Sequence, residues 1–168
     1  MQKTARDMIL SLVLIVLAAG VVWLFIPHED GEPPVQRVDY RVDLLTARRA
    51  ASYPVAAPEG LPDAWKPTSV RYRGEDSEAW HLGFHAPDGE YVAVEQSAGK
   101  RVPFIEDATQ GAERTGSTQR IDGETWTRYE GGHYDALVLE GTEGSTTLVT
   151  GTGSFDQLTT VAEALRTE

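Results

Sequence analysis

The sequence predicts an α+β domain behind one N-terminal transmembrane helix: an antiparallel β-sheet of about six or seven strands packed against a C-terminal helix and shorter helices. Three observations carry this reading. An uncharged run extends from Met8 to Ile26, short stretches of strand character alternate with Gly-rich turns, and Ser154 with Gln157 opens a helix with one apolar face.

The N-terminal run follows Lys3, Arg6 and Asp7 and stops at Pro27, His28, Glu29 and Asp30. At about 1.5 Å of rise per residue it extends roughly 28 Å, close to the hydrocarbon thickness of a bilayer. Trp23 and Phe25 sit near its far end, where aromatic rings favour the interface. A cleaved signal peptide is the alternative, because Ala18-Ala19-Gly20 has the small residues that a signal peptidase accepts. The apolar run continues through Val21, Val22, Trp23, Leu24, Phe25 and Ile26, however, where a cleavable signal turns polar, and this favours a retained anchor. Lys3 and Arg6 on one flank, against Glu29, Asp30 and Glu32 on the other, place the N-terminus in the cytoplasm and the bulk outside it. The expected organisation is a short cytoplasmic N-terminus over residues 1–7, a membrane helix over 8–26, a charged, proline-bearing linker over 27–34, and one extracytoplasmic domain over 35–168. With no cysteine, lipid attachment at a cysteine and disulfides are both ruled out, so the domain relies on its core.

Charge narrows the partners. The chain has 15 basic and 26 acidic residues; setting aside residues 1–27, with Lys3, Arg6 and Asp7, leaves 13 basic and 25 acidic, a net charge of −12. Such a field repels phosphate backbones and anionic headgroups, which argues against nucleic-acid binding and against a domain lying flat on its membrane. Cationic peptides, basic protein faces and divalent ions are favoured, and solubility alone also explains the excess acid.

Along the domain, Val38, Tyr40 and Val42 alternate with Asp39 and Arg41, the period of a short edge strand. Asp43 is placed to cap a short helix over Leu44 to Ala51, with Leu44, Leu45 and Ala51 partly inward and Arg48 and Arg49 outward. Pro58 to Pro67 reads as an ordered loop pinned by Leu61 and Trp65. Strands follow over Thr68 to Arg73, Ala79 to Ala86 and Tyr91 to Ser97, the last two joined by the turn sequence Pro87-Asp88-Gly89-Glu90. In the middle strand, Trp80, Leu82 and Phe84 face one way and His81, Gly83 and His85 the other. Lys100 to Gln110 fits a short helix or covering loop. Further strands read at Ser117 to Ile121, Glu124 to Glu130, Tyr134 to Glu140 and Ser145 to Thr150, separated by glycine-bearing turns. The capping box of Ser154 and Gln157 then starts a helix whose Leu158, Val161, Ala162 and Leu165 recur at helical spacing.

Taken together, the N-terminal anchor, the loop Pro58-Glu59-Gly60-Leu61-Pro62-Asp63-Ala64-Trp65-Lys66-Pro67-Thr68-Ser69, the strand Trp80-His81-Leu82-Gly83-Phe84, the segment Asp122-Gly123-Glu124-Thr125-Trp126-Thr127-Arg128-Tyr129 and the run Val149-Thr150-Gly151-Thr152-Gly153-Ser154 resemble an uncharacterised actinobacterial family of single-pass membrane proteins, a domain of unknown function. The resemblance covers nearly the whole chain and implies envelope localisation without an activity. At the level of fold, the strand order and closing helix are similar to the sandwich of Mog1 and PsbP-like proteins, which implies binding or scaffolding roles.

No motif announces chemistry. There is no cysteine and no Gly-x-Ser-x-Gly around any serine, so no catalytic residue is singled out. His81 and His85 share a strand face but stand roughly 13 Å apart, too far to share one metal, and a site would need His133, Asp88, Glu90 or Asp135 to converge. No metal site and no cofactor are therefore expected. Gly151-Thr152-Gly153-Ser154 lacks the lysine and spacing of a phosphate loop and serves as a helix start. The aromatic set Trp65, Trp80, Phe84, Trp126 and Tyr129 is mainly core material, with Trp65 the residue placed to border a groove. Candidate ligand contacts are Trp65, Tyr129, His81 and His85. The expected function is a membrane-anchored extracytoplasmic binding or scaffold module engaging an envelope protein or peptide. A pocket for a small apolar or envelope-derived ligand, and a metal-assisted hydrolase using His81 or His133, are the alternatives.

Overall fold

The computed structural model describes residues 2–25, 36–75, 77–141 and 144–167, with the side chains of the first helix described over residues 8–22. The chain divides into two compact units, Met1–Pro34 and Val35–Glu168. The described part of the first is a helix, α1 (Gln2–Phe25), 24 residues long. Its side chains from Met8 to Val22 are all exposed. Among the described residues no helix is long and apolar enough to cross a membrane. The linker assigned to residues 27–34 lies outside the described residues.

The second unit carries, in chain order, α2 (Arg41–Ala50), β1 (Ala57–Pro58), β2 (Lys66–Arg73), β3 (Ala79–His85), β4 (Tyr91–Ser97), α3 (Arg101–Thr109), β5 (Glu113–Ile121), β6 (Glu124–Glu130), β7 (Asp135–Leu139), β8 (Thr146–Gly151), α4 (Phe155–Ala164) and β9 (Leu165–Arg166). Seven strands form one antiparallel sheet in the order β2-β3-β4-β8-β7-β6-β5, and β1 pairs with β9 in a separate antiparallel ribbon. The two meanders read from the sequence thus join through β4 and β8, whose pairs run from Val92 with Gly151 to Ser97 with Thr146. β8 lies at the centre of the sheet and every one of its residues is buried, because helices cover both of its faces.

One face carries the main core. Trp80, Leu82, Phe84, Val92, Val94, Trp126, Leu137 and Val149 from the sheet meet Ala47 of α2 and Leu158, Val161 and Ala162 of α4. The capping box forms as expected: Gln157 N donates to Ser154 Oγ and Ser154 N donates to Gln157 Oε1 at 2.8 Å. Gln157 also donates from Nε2 to Asp88 Oδ1 at 2.8 Å, tying the β3–β4 turn to the start of α4. The opposite face has a smaller core, in which Ala136, Val138 and Leu148 pack against Ile105 of α3, with Phe104, Ala108 and Tyr129 at its margin.

The segment between α2 and β1 is held by buried polar groups rather than by a strand. Gln96 Oε1 accepts from Ala56 N at 2.7 Å, its Nε2 donates to Thr147 Oγ1 at 2.9 Å, and Trp80 Nε1 donates to Ala56 O at 3.0 Å. Each of these groups is out of water, so each must find such a partner.

The start of the domain corrects the sequence reading. The strand expected over Val38 to Val42 is not formed; the helix begins at Arg41 and ends at Ala50, with Tyr40 rather than Asp43 at its N-cap. Asp39 Oδ1 accepts from Arg41 N at 3.1 Å and Leu44 N donates to Tyr40 O, so local bonds close a helical turn where three alternating residues suggested a strand. Leu44 and Ala51 are partly buried as expected, whereas Leu45 is exposed and Arg48 is half-buried, donating to Val55 O and Arg166 O. Pro58 belongs to β1, and Lys66 and Pro67 belong to β2, which trims the expected loop at both ends. Leu165 follows α4 and lies in β9.

Two surface carboxylates link this architecture to pH. Hydrogen bonds from Ser52 hold Glu78 below the usual carboxylate range, and hydrogen bonds from Gln157 and the Glu90 amide do the same for Asp88. A depressed folded-state pKa contributes stability that is present above the unfolded-state value, about 4, and is lost as pH falls through the folded value. The melting temperature should therefore decline below about pH 4, and Ser52→Ala should make that decline shallower, as thermal unfolding across a pH series will show.

Candidate functional site

α3 covers only part of its face of the sheet. Beside it, the outward side chains of β2, β3 and β4 line an open groove of about 770 Å³. Alternation sets which residues reach it: Arg71 and Arg73 from β2, His81 from β3, and Tyr91 and Glu95 from β4 face the groove, while their neighbours face the main core. Phe104 and Asp107 of α3, Lys100 before it and Tyr134 before β7 form the opposite wall.

A hydrogen-bonded line of side chains runs across this face. His81 and Glu95 are directly paired across β3 and β4, and His81 Nδ1 lies 2.5 Å from Glu95 Oε1. On the other side of the ring, His81 Nε2 lies 2.8 Å from Ser69 Oγ and 3.4 Å from Tyr91 Oη. Only 16% and 18% of the His81 and Glu95 side chains are exposed, so solvent competes weakly for these bonds. In the tautomer whose Nδ1–H donates to the carboxylate, the Nε2 lone pair faces the two hydroxyls. Burial pushes the Tyr91 phenol above its ordinary value, opposed in part by its hydrogen bond to Ser69, so the hydroxyl stays a neutral donor at pH 7.

The local sequence makes room for this cluster. Gly83 sits opposite Ser69, and a Cβ there would lie 2.4 Å from Ser69 Oγ and 2.6 Å from Tyr91 Oη. Any side chain at that position would displace both hydroxyls. The β2–β3 register shifts between Pro67 and Ser69, a bulge that re-aims the chain immediately before the serine. Tyr91 is fixed at the other end, where its backbone N donates to Thr152 Oγ1 at 3.0 Å and its carbonyl accepts from Thr152 N at 2.9 Å. Gly151 lets the chain pass that carbonyl, since a Cβ at this residue would lie 1.9 Å from Tyr91 O.

The electrostatics of the groove oppose those of the chain. The net charge is −11, yet Arg71, Arg73 and Lys100 line one groove, and among the described residues none of the three has an ion-pair partner. Glu95 is engaged by His81, and Asp107 is the other acidic residue on the lining.

The chain belongs to the DUF4245 family, proteins of unknown function. The family model matches residues 1–165, so DUF4245 takes in α1 as well as the α+β unit. No curated protein matches the chain.

The structure separates the four residues proposed from this DUF4245 sequence. His81 lines the groove. His85 shares its strand face but sits at the far end of β3, opposite Tyr91 and Lys66. Tyr129 packs beside α3 on β6 and lines a different depression with Arg101 and Arg114. Trp65 is 7% exposed and belongs to the main core. His133 is exposed and stacks edge-on against Tyr134 at 4.6 Å, and among the described residues no three His, Asp or Glu side chains group as a metal ion requires. Ser69, Tyr91 and Glu95 were not singled out by sequence. The hairpin does point to one of them: the turn that pairs His85 with Tyr91 also sets His81 against Glu95. Trp65→Ala should cost about 3–5 kcal/mol of stability, measured by urea unfolding followed by circular dichroism, and should leave binding at the groove unchanged once the protein is folded.

Proposed function

We propose that this protein is a membrane-tethered, extracytoplasmic binding module of the cell envelope, with the groove beside α3 as its ligand site. The observation that carries the reading is the gathering of Arg71, Arg73 and Lys100, without ion-pair partners among the described residues, on the groove of a strongly acidic chain. Cations kept together against the overall charge favour an anionic occupant, since the surrounding acidic surface would otherwise pair with them. Tyr91, Tyr134 and Phe104 add apolar walls, so an envelope peptide or envelope-derived molecule with an acidic group beside an apolar portion is the best match.

The tether rests on the N-terminal helix. The uncharged run Met8 to Ile26 supports it: the described side chains of α1 within that run, Met8 to Val22, are all exposed and, apart from Ser11, carry no polar group. Lys3 and Arg6 precede the apolar run and the acidic residues Glu29, Asp30 and Glu32 follow it, which favours a cytoplasmic N-terminus. The match of the family model to residues 1–165 supports treating anchor and domain as one functional unit. An actinobacterial envelope, and a binding or scaffolding role of the kind that similarity to Mog1 and PsbP-like proteins implies, are consistent with this reading.

Site-specific photocrosslinking in intact cells tests it. A photoreactive residue at Pro103, on the groove lining, should capture a defined envelope component, and Arg71→Glu with Arg73→Glu should abolish that capture. The same label at Glu163, exposed on α4, should not capture it. Equal capture from both positions, or none from Pro103, would remove the groove as the binding site.

A further inference from the structure

Binding alone leaves one feature of this face unused. Ser69 Oγ, His81 Nε2, His81 Nδ1 and Glu95 Oε1 form a continuous line with steps of 2.8 and 2.5 Å. That order is the one in which a carboxylate fixes the imidazole tautomer, the imidazole accepts a hydroxyl proton, and the hydroxyl oxygen becomes a nucleophile. We propose that Ser69 is an acyl-accepting nucleophile activated by His81 and Glu95, and that the adjoining groove, which His81, Glu95 and Tyr91 line, holds for it a carboxylic ester carrying a negative charge.

Three placements favour chemistry over a purely structural network. Ser69 lies on the edge strand β2 and is only half-buried, so its hydroxyl is not sealed in the core. The missing side chain at Gly83 lets Ser69 Oγ and Tyr91 Oη converge over it, and the neutral Tyr91 phenol is a hydrogen-bond donor for the oxygen that gains charge when a carbonyl is attacked. Arg71, two residues along β2 and opposite His81, lines the groove where the acidic group of a bound ester would lie.

The step balances without any group that the protein lacks. Ser69 Oγ bonds to the carbonyl carbon while its proton moves to His81 Nε2 and the carbonyl electron pair moves to oxygen. The tetrahedral species collapses by breaking the bond to the alcohol oxygen, which leaves with the proton from Nε2. Water then attacks the acyl-serine, giving its proton to Nε2, and Ser69 recovers that proton as the acid departs. The net reaction is ester plus water to acid plus alcohol, and no oxidation state changes. If the three groups served only to brace the strands, Ser69 would be no more reactive than an ordinary surface hydroxyl.

The test uses the full chain in detergent micelles and a fluorophosphonate, which phosphonylates an activated serine as fluoride leaves. Intact mass and peptide mapping should show one adduct on Ser69 of the unmodified protein, a result that needs no variant to fold. His81→Gln should slow labelling roughly 100-fold or more, Glu95→Gln should slow it in the same direction, and Ser69→Ala should abolish it, each checked for folding by circular dichroism. Tyr91→Phe should lower turnover of a p-nitrophenyl ester while Ser69 remains labelled. No adduct on Ser69, or labelling of Ser69 at a rate that His81→Gln leaves unchanged, would overturn the proposal. Because the probe does not depend on the natural occupant, failure here leaves the photocrosslinking result at Pro103 standing on its own.

Discussion

The register of the β3–β4 hairpin is the constraint on which both the core and the site depend. Ala86 N donates to Glu90 O across the turn, and from there each residue of β3 meets one of β4: His85 with Tyr91, Phe84 with Val92, Leu82 with Val94, His81 with Glu95 and Trp80 with Gln96. Alternation then sends Trp80, Leu82 and Phe84 into the core beneath α4 and His81 to the other face. A slip of one residue would bury the polar pair His81 and Glu95 under α4 and expose three large apolar side chains, which is why such a register is held firmly wherever one face is buried. The same contacts that stabilise the sheet therefore deliver the geometry of the polar cluster, and Asp88 in that turn is tied to α4 through Gln157.

The face opposite the main core is where function has room. α3 covers β8 and β7, whose Leu148, Ala136 and Val138 have no charge to solvate, and it leaves β2, β3 and β4 uncovered where the outward residues are polar. A helix of nine residues is too short to shield the whole face. The uncovered part combines a shielded His81–Glu95 pair with cations on the lining, two features that favour an anionic partner in the groove and a reactive hydroxyl, Ser69, beside it.

Much of this fold is legible in the sequence because the strands are bounded by turn residues and alternate cleanly. β3, β4 and β6 run over residues that the pattern assigns to strands, and the capping box at Ser154 marks the start of α4. Val38, Tyr40 and Val42 mislead because three alternating positions are too few to outweigh local helix bonds, and because Tyr40 finds burial another way, with its ring edge-on to Phe84 at 6.2 Å. The site is legible only in part. His81 is visible as a histidine on the polar face of a strand, and its partner Glu95 follows from the turn, but Ser69 depends on a bulge between Pro67 and Ser69 that no local residue pattern announces. Trp65 is read correctly as a pinned aromatic in a Pro-rich loop; whether it pins to the core or to a groove depends on the long-range placement of that loop.

The most direct measurement is a two-dimensional amide NMR spectrum of the isotope-labelled full chain in micelles, recorded with and without a solubilised envelope fraction. Binding in the groove should give shifts confined to groove residues, among them Arg71, His81, Tyr91, Lys100 and Tyr134, and lost in the Arg71→Glu, Arg73→Glu variant. Shifts centred on α4 or on the depression beside Tyr129, with the groove unmoved, would contradict it.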